Sequence, residues 1–177
     1  MNTRLTQALA VALTTAVTFI SFFGAVPAQA QTLSSQSLTR GGIVALANTD
    51  HSQAGLGKIT EDPLLDAAAQ MKANDMAKKG YFSHTDPSGN APWMWFKSVG
   101  YYYWGAAENL AINFDTNSSV NTAWMNSPTH RENLLNGSYS RMGIGIAHGT
   151  YQGKSATYIV QFFADPYIGA GSKVAML

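Results

Sequence analysis

From Pro63 to Lys79 polar residues recur at every fourth position, Asp66, Gln70, Asn74 and Lys78, while Leu64, Leu65, Ala68, Ala69 and Met76 fall on the opposite side. That period predicts an amphipathic helix. Its ends are marked as well: Asp62 suits the N-cap, Pro63 the first helical position and Gly80 the stop. Lys72 interrupts the apolar side, and a lysine so placed is expected to run its stem along the core and carry its ammonium to water. Leu38 to Gln53 reads as an earlier helix with Ile43, Leu46 and Ala47 on one side and His51 at its surface or end. A short helix is predicted from Pro92 to Val99 and another from Ser118 to Asn126. A last one is opened by the cap Ser127 and by Pro128, and stops near Asn136 and Gly137.

After Arg141 the period changes to two. Met142, Ile144 and Ile146 alternate with Gly143, Gly145 and Ala147, giving a strand with one bulky face and one nearly bare face, against which a helix can pack closely. From Ala156 to Phe163 both faces are apolar, Ile159 and Phe163 on one and Tyr158, Val160 and Phe162 on the other, so the sheet is covered on both sides. Together these elements predict an α+β domain with helices flanking a mostly antiparallel sheet. Asp165 and Pro166 end the sheet, and residues 169–177 read as a loose tail.

The first 30 residues have the layout of a secretory signal: Arg4, an apolar run from Leu9 to Val26, and Ala28-Gln29-Ala30 as a cleavage site after Ala30. An uncleaved membrane anchor is the alternative, against which Gly24, Pro27 and the cleavage pattern argue. Residues 31–37 form a polar linker, and 38–168 are the length of one domain able to bury a core unaided. The chain has no cysteine, which excludes disulfides, thiol nucleophiles and thiolate metal ligands. Without Arg4 it carries ten basic and ten acidic residues, so no basic stripe points to nucleic acid. No membrane span is expected after signal cleavage, the protein is expected to be monomeric, and its place is extracellular or periplasmic.

Three segments carry the candidate chemistry: Tyr81-Phe82-Ser83-His84-Thr85, Glu108-Asn109-Leu110-Ala111 and Ser127-Pro128-Thr129-His130-Arg131-Glu132-Asn133-Leu134-Leu135. In this order, with Trp124-Met125-Asn126 before the third and a Gly-Ile-Gly-Ile strand after it, the chain closely resembles the CAP superfamily of cysteine-rich secretory, antigen 5 and pathogenesis-related 1 proteins, in its cysteine-free bacterial branch. The resemblance implies a three-layer α-β-α sandwich with two histidines and usually two acids converging in a cleft. Carried over, the first three positions are His84, Glu108 and His130, whereas Asn126 and Ser127 stand where the second acid is expected. Glu132 is no substitute, because two residues along a helix it points away from His130.

Two histidines and a carboxylate match a zinc site in ligand type, so His84, His130 and Glu108 are candidate ligands for zinc or another divalent cation. A place in the first turn of a helix is expected to keep His130 neutral. Asn109 and Asn133 read as structural amides. Of the chain's 20 aromatic residues, Trp93, Trp95, Phe96, Tyr101, Tyr102, Tyr103 and Trp104 fall within 12 positions. These, other than Phe96, are candidate cleft-wall residues, with Arg131 as a rim contact, although a hydrophobic lid over the sheet is an equal reading. The sequence thus favours a binding or interaction module over an enzyme, its partner a small molecule, lipid, glycan or protein. The alternatives are a metal-assisted hydrolase of peptide or cell-wall material and a lipid or sterol carrier.

Overall fold

The computed structural model describes residues 37–167; the leader expected over residues 1–30, the linker expected over 31–37 except its last residue, and the tail from Gly169 lie outside them. Among these residues the elements run α1 (Arg40–Gln53), β1 (Thr60–Glu61), α2 (Pro63–Lys79), α3 (Trp93–Ser98), β2 (Tyr103–Ile112), α4 (Asn117–Asn126), α5 (Pro128–Leu134), β3 (Arg141–Tyr151) and β4 (Lys154–Pro166). The strands form one sheet in the order β1-β3-β4-β2, with β1 parallel to β3 and the other two pairings antiparallel. Helices α2 and α3 cover one face and α1, α4 and α5 the other. This is the mostly antiparallel α-β-α sandwich that the sequence led us to expect.

Both faces are set by strand alternation. Tyr158, Val160 and Phe162 pack under α2 and α3, while Met142, Ile144, Ile159 and Phe163 meet α1, α4 and α5. Gly143 and Gly145 present bare backbone to α2: a Cβ at Gly143 would strike the backbone of Leu65 and Asp66, and one at Gly145 that of Ala69 and Gln70. Any larger residue there must lift the helix off the sheet. The caps of α2 form as expected, with Asp62 accepting from Leu64 N and Leu65 N and Gly80 ending the helix at φ 67°.

Asp66, Gln70, Leu64 and His51 depart from the sequence reading, and for the three polar ones the reason lies in partners elsewhere in the chain. The α2 stripe is turned to the sheet at two of its positions. Because β1 pairs with β3 only at Arg141 and Met142, the rest of that edge lacks a strand partner. The stripe closes it: Ile144 N donates to Asp66 Oδ1 at 2.8 Å, Ile146 N to Gln70 Oε1 at 3.2 Å, and Gln70 Nε2 to Ile146 O at 2.7 Å. Sheet-edge groups are thereby satisfied without another strand. Leu64 is 48% exposed, since it sits about 100° round the helix from buried Leu65. His51 does lie in the last turn of α1, but it is buried there. Its ring nitrogens meet Gly57 O at 2.8 Å and Leu134 O at 2.6 Å, fastening α1 to the loop before β1 and to the end of α5.

Candidate functional site

The site is built on β2, an edge strand, at two consecutive residues. Neighbours in a strand project to opposite faces. Glu108 therefore serves the α2 side and Asn109 the α5 side, and each anchors one of the candidate histidines.

On the α2 side, Glu108 Oε2 accepts a hydrogen bond from His84 Nδ1 at 2.6 Å, with the Glu108 side chain 2% exposed and that of His84 58%. The imidazole is thus fixed from within and open from without. Burial pushes the Glu108 carboxyl above its ordinary value, partly offset by His84 and Lys72. The hydrogen bond to Glu108 holds His84 above the usual histidine value, with burial opposing it. Glu108 Oε1 is buried and meets no hydrogen-bond partner among the described residues.

The loop that carries His84 is clamped from below by Lys72. The sequence placed this ammonium in water; it is fully buried instead, and donates to Ser83 O and His84 O, each at 2.8 Å. The main-chain acceptors of the loop replace solvent, and the Glu108 charge lies close enough to support the cation against the desolvation that lowers its pKa. Farther along, Asp86 accepts from Ser88 N, Asn90 N and Asn90 Nδ2 and closes the turn that the Asp-Pro-Ser-Gly-Asn sequence predicts.

On the α5 side the anchor is an amide chain. Asn109 Nδ2 donates to His130 O and to Gln161 Oε1, both at 3.1 Å, and Asn133 Nδ2 donates to Asn109 Oδ1 at 2.9 Å. Both asparagines are therefore structural, as their chemistry suggested. Ser127 holds the N-cap position, but its side chain makes no cap bond; its hydroxyl meets His130 Nδ1 at 2.9 Å instead. Burial, and then the charge of His84, push His130 below the usual histidine value and favour the neutral ring. Glu132 is exposed and takes no part in these contacts.

Beside His130 lies a groove of about 280 Å³, walled by Phe82, Leu110, Ile112, Phe114, Ala123 and Trp124, with Ser127 and His130 also lining it. None of the aromatic residues from Trp93 to Trp104 borders this groove. Trp95 and Tyr101 are buried, Trp93 and Tyr103 are half-buried, and Tyr102 and Trp104 stand in solvent at the far end of β2. Arg131 is exposed on the outer side of α5 beside Glu132 and Leu135.

The side chains as placed do not fit a metal centre. His84 Nδ1 and Glu108 Oε2 satisfy each other, His130 Nδ1 is engaged by Ser127, and among the described residues no three His, Asp or Glu side chains gather to hold an ion. A protein zinc site takes three or four such ligands.

A model of the cysteine-rich secretory protein family matches residues 40–163. The uncharacterized protein YkwD of Bacillus subtilis (strain 168) is 38% identical over 103 residues, covering 58% of this chain and 40% of that protein. The uncharacterized membrane protein YlbC of the same organism is 28% identical over 109 residues, covering 62% of this chain and 32% of that one. Among solved structures, an extracellular protein containing an SCP domain from Bacillus anthracis str. Ames superposes with a TM-score of 0.60 at 26% identity, covering 71% of this chain and 39% of that chain. The chain thus spans less than half the length of each of these relatives.

Proposed function

The chain belongs to the cysteine-rich secretory protein (CAP) family, and on that footing we propose that it is an extracellular binding module whose cleft holds a small amphiphile. A head group bearing hydrogen-bond acceptors sits at His84, and a short apolar portion enters the groove beside His130. The observation that carries this reading is the pairing of an exposed imidazole, tied to a buried carboxylate at 2.6 Å, with an apolar groove that includes the second histidine. The exposed His84 ring, which Glu108 holds above its ordinary pKa, is the group that can meet a ligand with positive charge, so an anionic head is favoured over a neutral one. At about 280 Å³ the groove takes a short chain and not a bulky ring system, being below the ~300–1,000 Å³ of ordinary small-molecule sites. Extracellular placement is supported by the expected leader and by the likeness to an extracellular protein. No described helix is long and apolar enough to cross a membrane.

Turnover has less support. Ser127 and His130 form a hydroxyl–imidazole pair, but among the described residues no carboxylate bonds the other ring nitrogen of His130, as an activated nucleophile would require. The test is calorimetric titration of the protein with octanoate and, in parallel, octanol. Octanoate is expected to bind more tightly than octanol, Ala123→Phe to block both by filling the groove, and His84→Ala to abolish the preference for the carboxylate. Failure of both probes to bind, or octanoate binding untouched by Ala123→Phe, would overturn the reading.

A further inference from the structure

At the other end of β2 from the histidine groove, Trp93, Tyr101, Tyr102, Tyr103, Tyr167 and Lys97 line a second pocket of about 470 Å³. Seven residue steps along the strand lead from Tyr103 to Leu110, ~23 Å at ~3.3 Å per step, so the two sites are independent. Three of the five large apolar side chains exposed among the described residues gather at this end: Tyr102 at 75%, Trp104 at 73% and Tyr167 at 47%. Singly exposed aromatics are ordinary, but a cluster rimming a pocket marks a contact surface.

The cluster is held in place by local structure. The β2–β4 register slips between Tyr103 and Gly105, a bulge that leaves Trp104 as the extra residue. Tyr103 turns inward against Phe96 and Trp93, with ring centroids at 5.1 and 6.0 Å, while Tyr102 and Trp104 turn outward. Tyr167 N donates to Tyr102 O at 3.0 Å, and the Tyr167 ring meets Trp104 edge to face at 4.8 Å. The exposed rings are therefore positioned before any ligand arrives.

The chemistry of the walls selects the ligand class. Apart from Gly100 and Lys97, every lining residue is a Tyr or Trp, so no aliphatic side chain is there to receive an acyl chain. Each ring offers an apolar face with an N–H or O–H at its edge. A pyranose with equatorial hydroxyls presents the complementary surface, C–H groups on its faces and hydroxyls around its rim. Lys97 is the only charged residue in the lining and makes no ion pair among the described residues. The pocket falls within the ~300–1,000 Å³ of small-molecule sites. We propose that this pocket binds a carboxylate-bearing glycan of pyranoses with equatorial hydroxyls, with sugar faces against Tyr102, Trp93 and Tyr167 and a carboxylate on Lys97.

The experiment is a titration of the full chain, followed by tryptophan fluorescence and calorimetry, with cellotetraose and its glucuronic acid counterpart. Both are expected to bind, the acidic one about two- to fivefold more tightly, as an exposed ion pair allows, and with that margin lost in high salt. Lys97→Met should erase the difference and leave cellotetraose binding intact. Tyr102→Ala, at a side chain too exposed to affect folding, should weaken both by roughly tenfold or more, as loss of an aromatic anchor does. His84→Ala should change neither. Absence of binding by both glycans, or binding indifferent to Tyr102→Ala, would overturn the proposal. So would binding that emerges only after removal of residues 168–177, which would make the chain's own tail the occupant.

Discussion

Glu108 and Asn109 are chain neighbours, yet the two sides of the sheet they serve are held together by opposite means. On the α2 side a buried carboxylate, a buried ammonium and a half-exposed imidazole form a chain of charges reaching the surface at His84. On the α5 side only neutral groups meet: Asn109, Gln161, Asn133 and the carbonyl of His130. The difference shows how one edge strand can shift two histidine pKa values in opposite directions. A carboxylate partner raises the first, while burial and the first histidine's charge lower the second. The charged side should answer to pH and the neutral side to geometry.

The strongest way to break this comparison is at Asn109. Asn109→Ala strips partners from Gln161, Asn133 and His130 O at a fully buried position, and should cost ~2–3 kcal/mol in urea denaturation. A loss within experimental error would mean that the amide chain does not hold α5. Lys72→Met keeps the buried stem but leaves Ser83 O and His84 O without their donor, for which we expect about 1–2 kcal/mol and a more mobile His84 ring by NMR relaxation. A variant as stable as the parent, with an unchanged ring, would show that the loop does not depend on the ammonium.

Glu108→Gln sharpens the comparison through pH. His84 has a folded pKa above its unfolded one, so its contribution is fully present below the ordinary ~6.5 and is lost as pH rises through the folded value. The raised carboxyl of Glu108 acts in the same direction at lower pH. His130 runs the other way: its contribution is complete above ~6.5 and fades as pH falls through its lowered value. In Glu108→Gln the His84 midpoint should therefore fall toward the ordinary value. The excess stability of the parent over the variant should also shrink as pH rises. A His84 midpoint that ignores the substitution would dissolve the pairing. The smallest effect is expected with zinc, whose addition to metal-free protein should give no binding heat that depends on His84, since no three ligands converge. Zinc binding of micromolar or better affinity that disappears in His84→Ala would restore the metal reading.

How much of this was legible in the sequence varies with the range of the interactions. Local signals marked α2 by cap, proline and glycine, and alternation marked β3 and β4 with the faces they cover. β2 escaped notice because its alanines, Glu108 and Asn109 show no bulky alternation, and two-residue β1 is too short to show any. Lys72 was misplaced, and the burial of His51 and the inward turn of Asp66 and Gln70 were missed, for one reason. A polar side chain is read as solvated unless its partner is known, and the partners of His51 and Asp66 lie 83 and 78 residues away. The resemblance supplied His84, Glu108 and His130, and the structure brings the first two into contact. Neither the groove nor the separation of the aromatic stretch from it could be read, because both depend on where each end of β2 lies in the folded sheet.

The most direct measurement is an NMR titration of the His84 and His130 ring protons with pH, in the absence and presence of octanoate. A carboxylate seated at His84 stabilises the imidazolium, so by linkage the His84 midpoint should move further up when octanoate is bound. The His130 signals should shift without becoming those of a charged ring. Midpoints and shifts of both rings that stay the same at saturating octanoate would contradict the claim that this cleft is a binding site for such ligands.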